Sequence, residues 1–221
     1  MTELLGAVLW DMDGLLVDTE PTWTIAEVEL AAELGGVWND QLKAAIVGTR
    51  LDVAVPTILE HYGKSLDLVG WASAWLLERM VTLFAHGPAV LPGVHDLLGA
   101  LRTADVPVAL VSSSYRVLVD AVLVSGLGPF DVTISGDEVQ HGKPHPEPYL
   151  TAARQLGVDP ASCVVLEDSV AGVLSGEAAG CGVLAVPSVP GVHVLSRPRT
   201  VVRNSLVGVN LDVLRSLVQP V

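Results

Sequence analysis

Short unbroken apolar runs and longer, spaced apolar patterns alternate along this chain. The runs Leu4 to Trp10, Val106 to Val111, Cys163 to Leu166 and Gly182 to Val186 read as strands buried on both faces, as in a parallel sheet. Asp131 to Ser135 reads as a further short strand, and Val201-Val202 as a last edge strand. Helical spacing recurs over Val94 to Ala104, Val117 to Leu127, Glu147 to Leu156, Val170 to Ala179 and Leu211 to Val218. The stretch after Thr19 is different. Pro21 suits a first helical turn, and Trp23, Ala26, Leu30 and Leu34 follow at helical spacing until Gly35-Gly36. Asp40 stands where it would cap a second helix through Val47, and a third spans Asp52 to His61, with Pro56 early in it. Ser65 stands where it would cap a long helix from Leu66 to Phe84, whose Trp71, Trp75, Leu76, Met80 and Leu83 predict a packed stripe. No strand signal occurs from residue 20 to residue 86, and Gly87-Pro88 closes the stretch.

Strands alternating with helices predict an α/β fold, a doubly wound parallel sheet. The helical stretch falls between the first strand and the others, so it reads as an inserted all-helical domain. The expected division is residues 1–18 and 88–221 for the α/β core and 19–87 for the insert. At 221 residues, half of them hydrophobic, the chain can bury a substantial core.

Charge narrows the partners. Twelve basic residues against 25 acidic ones give a net charge of −13, which argues against nucleic acid and anionic membranes. An anionic substrate must then be gripped by local positive charge. Glu3 stands where a signal peptide would be basic, and no apolar run approaches the roughly 18 residues of a membrane span. Cys163 and Cys181 read as buried free thiols of a cytoplasmic protein.

The candidate chemistry sits at the strand ends, where open parallel sheets bind ligands. Asp11 and Asp13 follow the first strand, with Gly14 behind them. Two such charges about 4 Å apart repel by about 1 kcal/mol in water and about 4 at an effective dielectric of 20, a cost that a divalent cation removes. Read alone, the stretch could also be an Asp/Gly turn. Further along, Ser112 and Ser113 end the second core strand, Glu167 and Asp168 end a later one, and Lys143 lies in Gly142-Lys143-Pro144-His145-Pro146. Clustered carboxylates suit Mg²⁺. A serine hydroxyl, amides at a helix start and a lysine ammonium suit a phosphate.

These residues resemble the motifs of the haloacid dehalogenase superfamily, in the branch of phosphatases and β-phosphoglucomutases that carries a helical cap. Asp11 to Thr19 is similar to Asp-x-Asp-Gly-x-x-x-Asp-(Ser/Thr), Val108 to Ser112 to the strand ending in Ser or Thr, Lys143 to Glu147 to Lys-Pro-x-Pro-(Asp/Glu), and Val164 to Ser169 to the acidic fourth motif. The resemblance covers nearly the whole chain. It implies that Asp11 is the nucleophile and forms an aspartyl-phosphate, and that Asp13 is general acid and then base. It implies Mg²⁺ held by Asp11, the Asp13 carbonyl and Asp168, with Glu167 among the ligating acids, and a phosphoryl group held by Ser112, Ser113 and Lys143. Arg50, in Val47-Gly48-Thr49-Arg50, resembles a substrate-contacting cap loop, although Asp52 beside it also allows a surface ion pair. The implied activity is Mg²⁺-dependent hydrolysis of a small sugar or polyol phosphate monoester by a monomer or weak homodimer. The alternative is a β-phosphoglucomutase-like isomerase. Two departures count against it: Trp23 stands where the mutases carry a His, and the long cap helix offers only Arg79 in place of their Lys. Asp13 argues against true dehalogenation, and the intact Asp11/Asp13 pair against a non-catalytic phosphate sensor.

Three weaker signals are set aside. Gly180-Cys181-Gly182 fits a dinucleotide fingerprint in form but follows a helix and precedes a strand, the wrong order. Gly172, Gly176 and Gly180 read as a helix packed closely on the sheet. His141 and His145 are not expected to pair on a metal, because Pro144 and Pro146 forbid the helix that would align them and Lys143 stands between.

Overall fold

The computed structural model describes residues 5–46, 49–124, 126–188 and 194–218. Leu4, Val47, Gly48 and Ser125, which fall within expected elements or the cap loop, lie outside them. Strand β1 (Ala7–Trp10) leads through a tight loop to β2 (Val17–Asp18), and four helices follow: α1 (Glu20–Glu33), α2 (Asp40–Ile46), α3 (Leu51–His61) and α4 (Val69–Leu83). The chain returns through β3 (Ala89–Val90), which pairs antiparallel with β2. Strands and helices then alternate through α5 (Val94–Thr103), β4 (Val108–Val111), α6 (Arg116–Leu123), β5 (Val132–Ile134), α7 (Glu147–Leu156), β6 (Cys163–Glu167), α8 (Val170–Ala178), β7 (Gly182–Ala185), β8 (Thr200–Val202) and α9 (Leu211–Arg215). Six strands form one parallel sheet in the order β5-β4-β1-β6-β7-β8. The strand order reverses at β1, which makes its carboxyl end the switch-point crevice.

Side-chain alternation divides the core into two layers. Val8, Trp10, Leu110, Val164 and Leu166 face Leu97, Leu98 and Leu101 of α5 and Leu118, Val119 and Val122 of α6. Ala7, Leu9, Val111 and Val165 face Tyr149, Ala152 and Ala153 of α7 and Val173 of α8. The first layer continues into the helical cap through Leu15, Leu16, Ala26, Leu30, Ile58, Leu76 and Met80. Among the described residues no helix is long and apolar enough to cross a membrane.

Several local expectations change. The β2–β3 ribbon was not expected, since two residues per strand carry no periodicity; it sets the entry and exit of the cap side by side. Asn39, not Asp40, caps α2, its Oδ1 accepting the Leu42 amide at 2.9 Å. Ser65 accepts the Asp67 amide at 3.2 Å, but it caps a 3₁₀ turn over Leu66–Leu68, and α4 begins only at Val69. The buried face of α4 is Ala72, Leu76 and Met80, while Trp71 is 44% exposed. The helices expected over 117–127 and 211–218 end sooner, at Leu123 and Arg215.

Candidate active site

Register brings the acids together. Trp10 pairs with Leu110 on one side and Leu166 on the other, so Asp11, Val111 and Glu167 leave the sheet at one level. Gly14, at φ +81°, turns the chain at once, and a Cβ there would strike the Asp168 carboxylate. Lys143 enters from the loop before α7 with its side chain only 4% exposed. Its ammonium donates to Asp11 Oδ1 at 2.5 Å, Glu167 Oε1 at 2.7 Å and the Val111 carbonyl at 2.9 Å, which uses all three of its protons.

Glu167 is the most fully bonded of the acids. Besides Lys143, it accepts the Tyr149 hydroxyl at 2.8 Å, the amides of Asp168 and Ser169 at 3.0 Å each, and the Ser169 hydroxyl at 2.9 Å. Among the described residues Asp13 is held by hydroxyls alone: Thr19 at 2.7 Å, Ser112 at 3.1 Å and Ser114 at 2.9 Å. Ser113 lines the cavity. Asp168 accepts the Ser188 hydroxyl.

Titration follows from this packing. Burial, opposed by Lys143 and reinforced by Glu167 and Asp168, pushes the Asp11 carboxyl well above its ordinary range. Burial and the charge of Glu167 push Asp168 up to about 8. Burial acts on Glu167 too, but Lys143 and the Ser169 amide outweigh it and hold its pKa low. Burial also opposes the charge on Lys143, yet Asp11 and Glu167 hold its pKa well above normal. Oxygens of Asp11, Glu167 and Asp168 lie within 4.8 Å of one another. Three carboxylates around a single ammonium leave surplus negative charge, and burial makes ionisation of Asp11 and Asp168 costly. Asp11 and Asp168, each with one oxygen that takes no protein donor among the described residues, are hard ligands that fit a divalent cation.

Above the acids lies a cavity of about 190 Å³, walled on the core side by Asp11, Asp13, Ser113, Ser114, Lys143 and Asp168. The cap supplies Glu20, Trp23, Glu27, Lys43, Arg50 and Ile58. Arg50 lies 3.4 Å from Asp52 and is one-fifth exposed, so it lines the cavity and makes the ion pair as well. Its guanidinium also runs close to Gly142. Lys43 bridges Glu27 at 2.9 Å and Glu20 at 3.0 Å. Burial raises the pKa of Glu27 despite that lysine. Arg79 is bound to Glu29, with Nη2 2.7 Å from Oε1, and does not line the cavity.

Sequence reading missed Ser114, Glu20, Glu27, Lys43, Tyr149 and Ser188. Ser114 was signalled by the serine triplet. Glu27 and Lys43 had no signal, because they stand on different helices, 16 residues apart.

Residues 5–180 match the family of haloacid dehalogenase-like hydrolases. The chain is 34% identical over 217 residues to the bifunctional riboflavin kinase/FMN phosphatase of Arabidopsis thaliana, spanning 96% of this chain but 56% of that protein. It is 38% identical over 185 residues to hexitol phosphatase A of Escherichia coli (strain K12), covering 80% of this chain and 81% of the other. The fold matches the crystal structure of CbbY from Rhodobacter sphaeroides in complex with phosphate at a TM-score of 0.86 and 27% identity, over 96% of this chain and 99% of that one. With its fold, its strand-end acids and a family match from residue 5 to residue 180, the chain belongs to the haloacid dehalogenase-like hydrolases.

Proposed function

We propose that the protein is a Mg²⁺-dependent phosphatase that hydrolyses a small sugar or polyol phosphate monoester through a phosphorylated Asp11. The observation that carries this reading is one carboxylate: Asp11 lies on the floor of the cavity, with Lys143 on Oδ1 and Asp13 two residues away in a nest of hydroxyls. Asp11 attacks phosphorus, the ester oxygen departs, and protonated Asp13 gives it a proton. Asp13, now a carboxylate, takes a proton from water, whose oxygen attacks the phosphoryl group and frees Asp11 and inorganic phosphate. Ser113 and, once their bonds to Asp13 and Asp11 are exchanged for substrate, Ser112 and Lys143 hold the phosphoryl oxygens, and positioning with charge stabilisation supplies most of the rate.

Asp11, Asp168 and the Asp13 carbonyl would hold Mg²⁺, which when bound supplies positive charge to the phosphoryl group. Glu167 was expected among the ligands, but five protein donors, two on Oε1 and three on Oε2, leave its oxygens no free lone pair. We assign it instead to positioning Lys143.

The cap, taken as residues 19–87, supplies specificity. Glu20, Glu27 and Lys43 offer hydrogen-bonding partners for hydroxyl groups and Arg50 a cation, which together with the likeness to a hexitol phosphatase supports a polyol or sugar leaving group. Lys43 is the observation that favours the second reading, a β-phosphoglucomutase-like isomerase, since it puts a cap lysine in the cavity. Its pairing with two carboxylates, and Trp23 in the wall, favour the hydrolase. The buried free thiols of Cys163 and Cys181 accord with a cytoplasmic enzyme. Phosphate release from a panel of sugar, polyol and nucleotide monophosphates with Mg²⁺ tests the reading: hexitol or sugar phosphates should be hydrolysed, and release from none of the panel would overturn it.

A further inference from the structure

The loop that sends Lys143 inward carries His141 and His145 on its outer side, with side chains 54% and 50% exposed. Their rings lie 4.6 Å apart, centroid to centroid. Glu147 completes the group, its Oε2 lying 2.9 Å from His141 Nδ1 and 3.9 Å from His145 Nδ1. Ring nitrogens and a carboxylate oxygen of the three residues fall within 4.8 Å of one another.

Both grounds for expecting no metal pair fail in the fold. No helix is needed, because the loop turns His145 back itself: its amide donates to the Gly142 carbonyl at 3.0 Å, and Ser175 donates to the His145 carbonyl at 2.6 Å. Lys143 does not repel an ion here, because its ammonium is buried between Asp11 and Glu167.

We propose that His141, His145 and Glu147 form a second metal site, separate from the carboxylate cluster, for a borderline-soft divalent transition ion such as Zn²⁺. Two imidazoles and one carboxylate are a ligand set that zinc takes with a fourth position left to water, and the exposure of the group leaves that position open. Mg²⁺ prefers an all-oxygen shell and is not the expected occupant. Glu147 is held by the amides of Gln140 at 2.8 Å and His141 at 3.0 Å, one on each oxygen, which leaves each oxygen a further lone pair; His145 Nδ1 accepts the Glu147 amide at 3.2 Å and releases that bond when an ion binds. Binding replaces the contact between His141 Nδ1 and Glu147 Oε2 and ties the two ends of the Lys143 loop together.

Equilibrium dialysis of the full chain against Zn²⁺, with saturating Mg²⁺ to keep the carboxylate cluster occupied, tests the site. One Zn²⁺ should bind per chain. The variants H141A, H145A and E147Q should each lose more affinity than the roughly 10- to 100-fold typical of an outer-shell change. Co²⁺ in place of Zn²⁺ should give the visible absorption of a four-coordinate ion. Circular dichroism checks that each variant is folded, with H141Q and H145Q replacing any alanine variant that is not. No Zn²⁺ uptake by the unaltered chain, an octahedral Co²⁺ spectrum, or undiminished uptake in any folded variant would overturn the proposal.

Discussion

At Asp11 two demands meet in one carboxylate: it must be ionised to attack, and it lies where burial disfavours ionisation. The proposed role predicts that Asp11→Asn abolishes phosphate release, since an amide is not a nucleophile of this kind. The same change removes a buried charge beside Glu167 and Asp168, so the cation-free protein should melt at the same temperature or higher. Residual turnover near the original rate contradicts the assignment. Lys143→Met should act in the opposite way. It strands Asp11 and Glu167 without a counter-charge, a loss of about 3–5 kcal/mol for a broken buried pair, read as a lower melting temperature. Unchanged melting would contradict the ion-pair geometry. These residues were legible because each acid or serine ends an apolar run and the lysine stands before a proline. The partners of Asp13 were legible only in part: Thr19 and the serine triplet were visible, but that three hydroxyls meet on one carboxylate depends on the loop after β1 folding towards β4.

Helix α8 is where element packing bears on the site. A Cβ on Gly172 would run into the Glu167 carboxylate, and one on Gly176 would lie 3.1 Å from Val165. Gly180 meets nothing within 4 Å and instead turns the chain at φ +83° after the helix. The glycine spacing therefore reports close packing at its first two positions and a helix stop at the third. Alanine in place of a helical glycine ordinarily gains roughly 0.5–1 kcal/mol. Gly172→Ala should reverse that sign, lowering both melting temperature and phosphate release by displacing Glu167 and hence Lys143. A Gly172→Ala protein more stable than its parent would contradict this packing. Elements with long periodic patterns were legible in the sequence, within a few residues at their ends. The β2–β3 ribbon was not, being too short to alternate, and neither was the cap wall of Glu27 and Lys43, which exists only once α1 and α2 pack together.

For the whole molecule, the acid cluster couples stability to both pH and cation. Asp168 titrates near 8 in the fold against an ordinary 3.8, so the native state keeps a proton that the unfolded chain has lost. Without a cation, stability should fall as pH rises from about 4 towards about 8 and level off above. Asp168→Asn should flatten that fall, and parallel melting curves for the two proteins would contradict it. Cation binding needs the ionised acids, so Mg²⁺ should oppose the fall. At 100 times its Kd a ligand adds about 2.7 kcal/mol, a rise of roughly 5–10 °C for a chain of this size. A melting temperature that is the same in saturating Mg²⁺ and in EDTA would contradict the metal site. The central claim is hydrolysis, and phosphorus NMR of the reaction mixture tests it most directly. Sugar or polyol phosphates incubated with the enzyme and Mg²⁺ should yield inorganic phosphate without any bisphosphate primer, and β-glucose 1-phosphate should not become the 6-phosphate. Isomerised sugar phosphate accumulating with little free phosphate, and only when bisphosphate is present, would contradict it.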